Sequence, residues 1–109
     1  NKLNNLSDFE NCRSLQELYV RQNDIRDLNQ VCYLQNLPNL KHLWLSENPC
    51  ASSEGYRLAV IRALPQLQKL DNSAVVVEEL SEALKRGRIL IHPADGAEDS
   101  DPQESYQQN

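Results

Sequence analysis

The residues best equipped for chemistry in this chain are few and scattered. Cys12, Cys32, Cys50, His42 and His92 are its soft donors. A structural zinc needs four such ligands at close spacing, typically built on Cys-x-x-Cys pairs. No such pair occurs, so no metal site is expected. Three thiols cannot all pair with one another. Cys12 and Cys32 fall in apolar slots, where a free thiol acts as a small hydrophobe. Cys50 follows an Asn-Pro turn and is expected to be partly exposed, and all three are expected to stay reduced. His42 and Ser46 share a strand face, but four residues at ~3.3 Å per residue put them too far apart to bond. Gly55, Gly87 and Gly96 form no phosphate-cradling loop. Glu78 and Glu79 read as acids at a helix N-terminus, where the dipole favours them. No catalysis, cofactor or small-molecule substrate is expected.

Recognition chemistry is better represented, and its placement depends on a repeat. Leu15-x-x-Leu18-x-Val20-x-x-Asn23-x-Ile25-x-x-Leu28 returns as Leu40-x-x-Leu43-x-Leu45-x-x-Asn48. Leu18 and Val20 are two apart, as are Leu43 and Leu45, so each pair points to one face of a strand. Asn23 and Asn48 close the strands. Their amides both donate and accept, which suits backbone groups left bare where the chain turns inward. This pattern is that of the leucine-rich repeat. It implies an α/β solenoid with a short parallel β-sheet on its concave face. Each inward leucine, once covered, contributes roughly 1.5–3 kcal/mol.

Asn1, Leu3, Leu6, Phe9 and Cys12 read as the second half of an incomplete first coil, with Asn1 in the Asn23 slot. The Asn-to-Asn spacing is 22 and then 25 residues. The longer coil is expected to form a convex turn or short helix around residues 29–33. Because the chain begins inside a repeat, further coils are expected to precede it.

With Leu18 and Leu43 inside, the alternate residues face out. Glu17, Tyr19 and Arg21 on one strand, and His42, Trp44 and Ser46 on the next, form a candidate partner-binding face. Lys69 and Asp71 extend it. Parallel strands lie ~4.8 Å apart, so Tyr19 and Trp44 should be neighbours. An exposed Trp–Tyr pair suits an interface anchor. The competing reading is a cross-strand pair that merely stabilises the sheet by ~0.2–1 kcal/mol.

Past Asn48 the register stops at Pro49, which favours a turn. Tyr56 to Ala63 reads as a helix, and Leu64-Pro65-x-Leu67-x-x-Leu70-Asp71 as a last strand-like coil. Glu78 to Lys85 reads as a terminal helix with Leu80 and Leu84 inward, stopped by Gly87. This helix should cap the last coil and blunt the sheet edge. The predicted division is residues 1–72 for the repeats and cap start, 73–93 for the C-terminal capping helix, and 94–109 for an acidic disordered tail.

Formal net charge is −5, and the uneven distribution matters more than the total. Residues 94–109 hold Asp95, Glu98, Asp99, Asp101 and Glu104 with no Lys or Arg, while residues 1–93 balance eleven acids against eleven bases. A neutral body and an acidic tail argue against a nucleic-acid groove. No apolar run approaches the ~18 residues that cross a membrane.

The string Asn48-Pro49, Tyr56-Arg57, Val60-Ile61, Leu64-Pro65, Leu67, Leu70-Asp71 resembles the cap of the phosphatase-regulator class of leucine-rich-repeat proteins. A longer match runs from Tyr33-Leu34 through Leu37-Pro38, Leu43-Trp44-Leu45 and Glu47-Asn48-Pro49-Cys50. It continues through Gln68-Lys69-Leu70-Asp71-Asn72, Ala74-Val75 and Glu78-Glu79-Leu80-Ser81 to Ala83-Leu84. This stretch is similar to the cilia- and flagella-associated leucine-rich-repeat proteins of the chromosome 21 open reading frame type. The resemblance implies a cytoplasmic protein–protein scaffold of cilium assembly or function, at basal body or axoneme, with a NIMA-related kinase as partner. Phosphatase-regulatory and ribonucleoprotein subunits share the fold and form the alternative.

Overall fold

The computed structural model describes residues 3–96, and its sheet has four strands in sequence order. Glu17–Tyr19 (β1), His42–Trp44 (β2) and Lys69–Leu70 (β3) run parallel. Leu18 pairs with Leu43, and Leu43 with Leu70. These three leucines stack one coil above the next beneath the sheet, at 6%, 1% and 0% exposure. Leu6, Ile25, Leu28, Val31, Leu34, Leu37, Leu40 and Leu45 continue the same core toward the convex side. The convex turns are short 3-10 stretches, the longest at Leu28–Leu34, where the longer second coil has its extra residues.

The sheet edge is closed by a strand rather than by a helix. Ser73–Ala74 (β4) pairs antiparallel with β3 across the turn Asp71-Asn72. Both turn residues have positive φ, +54° and +67°. That is the backbone of a type I′ hairpin, which Asn and Asp tolerate better than most residues. So the expectation that a helix blunts this edge is corrected, and the segment from residue 73 begins as a strand.

The helix Tyr56–Ala63 (α1) lays Ala59, Val60 and Ile61 on the core. The helix Val77–Arg86 (α2) packs on α1, but its inward residue is Ala83, fully buried, while Leu84 is 53% exposed. The expected Leu80–Leu84 contact face is therefore rotated, with Leu80 only partly buried. A methyl side chain lets the two helices approach where a leucine would hold them apart. Gly87 ends α2 with φ −63°, not in the left-handed cap conformation that glycine usually supplies. Its role is space, since a Cβ there would lie 2.5 Å from the Ala83 carbonyl oxygen and 2.9 Å from that of Leu58.

After Gly87 the chain runs back toward the first coil. The Ile91 amide donates to Asn29 Oδ1 at 2.9 Å. His92 lies edge-on to Tyr33 and places Nε2 3.2 Å from Glu10 Oε2. A short helical turn, Pro93–Gly96 (α3), takes in the start of the segment expected to be disordered. The remainder of that segment and the Asn1 slot lie outside the described residues.

Cys12 is exposed, which corrects its placement in an apolar slot; Cys32 is buried, and so is Cys50, which corrects its expected partial exposure, because the turn after Pro49 folds its side chain into the core. Burial pushes the Cys50 thiol up to about 11 and raises Cys32 as well. A thiol reagent acts on the thiolate. At pH 8, Ellman's reagent should therefore titrate one thiol rapidly in the native chain and three in denaturant. Prompt labelling of Cys50 would contradict its burial.

Candidate partner-binding face

The concave face is built by register. Tyr19 sits opposite Trp44, and Glu17 opposite His42, which in turn sits opposite Lys69. Two rows therefore cross the sheet, one aromatic and one charged. The Tyr19 and Trp44 rings meet edge to face, with centroids 6.1 Å apart at 86°. Tyr19 is 61% exposed, so this pair lies on top of the sheet and is no part of the core.

Polar contacts hold the aromatics in place. The Trp44 indole N–H donates to Ser46 Oγ at 2.8 Å. The Tyr19 hydroxyl donates to Glu17 Oε1 at 2.9 Å, and this bond to a carboxylate raises the hydroxyl's pKa. Arg21 pairs with Glu47 at 2.9 Å and sets its guanidinium carbon 5.4 Å from the Trp44 ring centre, within range of a cation–π contact. His42 Nδ1 lies 3.3 Å from Glu17 Oε2. A notch of about 50 Å³ opens between Tyr19, His42, Leu43, Trp44, Lys69 and Asn72.

The asparagines lie behind this face. Asn48, 3% exposed, donates to the carbonyls of Val20, Leu45 and Ser46 and accepts from the Ile25 amide. Asn23 makes the equivalent set one coil earlier, donating to Val20 and Arg21 and accepting from Leu3. Pro49 follows as the first residue of a 3-10 turn, where a missing N–H costs little. Gln22 and Glu47, each just before an asparagine, have φ of +61°. The left-handed residue turns the chain inward, and the amide then satisfies the groups the turn leaves bare.

Asp71 belongs to this turn-stabilising set and not to the face, which corrects its expected place. Its Oδ1 accepts from the Leu45 and Ser46 amides at 2.7 and 2.9 Å, and its Oδ2 accepts from the Tyr56 hydroxyl at 2.6 Å. Burial, and then this bond, raise the Tyr56 pKa. Glu47 and Asn72 are on the face, although sequence reasoning did not single them out. Asn72 was legible in principle, because Asp-Asn between two short apolar runs is a hairpin signal. Glu47 had no such signal, since its partner Arg21 is 26 residues away.

Among the described residues no cluster of three or more His, Cys, Asp or Glu could hold a metal ion, and no helix is long and apolar enough to cross a membrane.

Comparison with known proteins agrees with this architecture. The chain is 46% identical to cilia- and flagella-associated protein 410 of Mus musculus over 113 residues, covering 100% of this chain and 45% of the relative. It is 51% identical to the Homo sapiens protein of the same name over 92 residues, covering 83% and 36%. It thus spans less than half the length of these relatives. A solved structure, the Drosophila melanogaster SNF/U2A' complex, superimposes with a TM-score of 0.66 at 21% identity, covering 80% of this chain and 50% of that one. At that identity the likeness is one of fold. The leucine-rich repeat family model matches residues 3–89. With its stacked leucines, asparagine-closed coils and capped parallel sheet, the chain belongs to the leucine-rich repeat family.

Proposed function

We propose that this chain is a non-catalytic protein-binding scaffold of cilium assembly or function, acting at the basal body or axoneme and capturing a protein partner on its concave face. One observation carries the reading. The chain's only tryptophan lies against an exposed tyrosine on a sheet face whose opposite side is already filled by Leu18, Leu43 and Leu70. Packing does not require a second apolar layer there, and Trp and Tyr are the residues most often found as binding anchors. The ciliary setting comes from the names of the relatives. A NIMA-related kinase is the partner that the family resemblance brings to this face.

Trp44→Ala should leave the far-UV circular dichroism and melting temperature close to wild type. It should weaken capture of the partner by about 2 kcal/mol or more, roughly 30-fold in Kd. The measurement is co-precipitation from ciliated cells, followed by titration of the purified kinase against both forms. Equal recovery with Trp44→Ala would remove the concave face from consideration. Loss of recovery without any binding of the kinase would keep the face and discard that partner.

A further inference from the structure

We propose that the concave face takes an acidic side chain of its protein partner, with the carboxylate entering the notch beside Lys69 and His42 and its neighbours packing on Trp44 and Tyr19. This rests on the concave-face reading above and adds the chemistry of the occupant.

The charges of the face decide the sign. Arg21 is paired with Glu47, and Glu17 holds both the Tyr19 hydroxyl and, at 3.3 Å, His42. Lys69 is different. Among the described residues it forms no ion pair and no side-chain hydrogen bond. It stands in register with His42 and Glu17, so the charged row runs from carboxylate through imidazole to ammonium across three parallel strands. The unanswered charge is positive and lies at one end of the row, while Glu17 repels an anion from the other. An incoming carboxylate is thereby attracted and also oriented.

Size narrows the occupant. The notch holds about 50 Å³, lined by Tyr19, His42, Leu43, Trp44, Lys69 and Asn72. On that measure one water needs ~10–15 Å³. The space suits a carboxylate with its adjoining carbon and is short of an indole or a nucleobase. Polyphosphate backbones call for several free cations, and among the described residues this face has one, Lys69. The forked donor best suited to a phosphate, Arg21, is already engaged by Glu47.

A phage-displayed library of random 12-residue peptides, selected on the immobilised full chain, tests the proposal. Selected peptides should share Asp or Glu at one fixed position beside an apolar or aromatic residue. Lys69→Gln should lower affinity for the best peptide about fivefold. Exchanging that peptide's acid for its amide should cost a similar factor on wild type and almost nothing further on Lys69→Gln. Lys69 is exposed, so circular dichroism of Lys69→Gln should match wild type. Peptides that need Trp44 but ignore Lys69→Gln, or that share no acid, would overturn the acidic occupant and leave the concave face standing. A synthetic copy of the best peptide that bound markedly tighter with phosphoserine in place of its acid would likewise overturn it in favour of a phosphopeptide. Selection of nothing, or of peptides indifferent to both Trp44→Ala and Lys69→Gln, would overturn the concave-face reading itself.

Discussion

Asn48→Ala should lower the unfolding free energy by about 3 kcal/mol, since the truncation strands the Leu45 carbonyl and the Ile25 amide at once. The Asn48 amide donates to Val20, Leu45 and Ser46 and accepts from Ile25, at 2.8–3.3 Å. Among the described residues it is the only buried polar or charged one. Without it, the Leu45 carbonyl loses its side-chain donor and the Ile25 amide its acceptor, while the Val20 and Ser46 carbonyls keep the Asn23 amide and the Gln22 N–H. At ~4–8 °C per kcal/mol for a domain of this size, the melting midpoint should fall by about 12–24 °C. Asn48→Asp should be no milder, because a carboxylate keeps the bond to Ile25 but faces carbonyl oxygens where the amide donated. Asn23→Ala should cost less, because Asn23 is only half-buried and one of its partners is the exposed Leu3. Urea unfolding followed by Trp44 fluorescence measures all three. If Asn48→Ala and Asn23→Ala both melted like wild type, the asparagines would not be holding the coil turns.

The second large effect should come from Arg57→Ala, at about 2–3 kcal/mol. One guanidinium joins four elements. It donates to the Leu70 carbonyl of β3 at 2.9 Å and to the Ser73 and Ala74 carbonyls of β4 at 3.2 Å. It also meets both carboxylate oxygens of Glu79 on α2. Only 29% of the Arg57 side chain and 22% of the Glu79 side chain are exposed, so solvent screens this pair little. Truncation would leave Glu79 half-buried and unpaired and would free three carbonyls. Because all these contacts lie in the cap, the loss should be local. Hydrogen exchange should accelerate in α2 and β4 well before β1 and β2. Arg57→Lys should recover less than half of the loss, since an ammonium is a point charge and cannot replace a fork. Uniform acceleration along the chain would mean that Arg57 supports the whole solenoid and not the cap alone.

Much of the fold was legible because its grammar is local. Leucines two apart fix which way a strand faces, and an asparagine three residues past Val20 or Leu45 fixes where the coil turns. The helix Tyr56–Ala63 follows from an apolar period of about four residues between two prolines. The facing of Tyr19 and Trp44 needed only the repeat offset. Partners were harder to read. Asp71 looked like a surface residue because nothing in its own segment shows that Tyr56 and the Leu45 and Ser46 amides converge on it. Leu84 looked inward because i, i+4 leucines usually are. The close approach of α1 and α2 instead put Ala83 at the contact and left Gly87 the only residue that fits behind it.

The sequence by itself determined the coil architecture, the direction each strand residue faces, and the pairing of Tyr19 with Trp44, since each depends on spacing along a few residues. Only the tertiary structure decided which charges on the face are already answered and which, at Lys69, is not. It alone closed the sheet with a hairpin and set His92 beside Glu10, 82 residues away. Such contacts depend on how the coils and cap stack in space, and spacing along the chain carries no information about the distance between residues brought together from different turns.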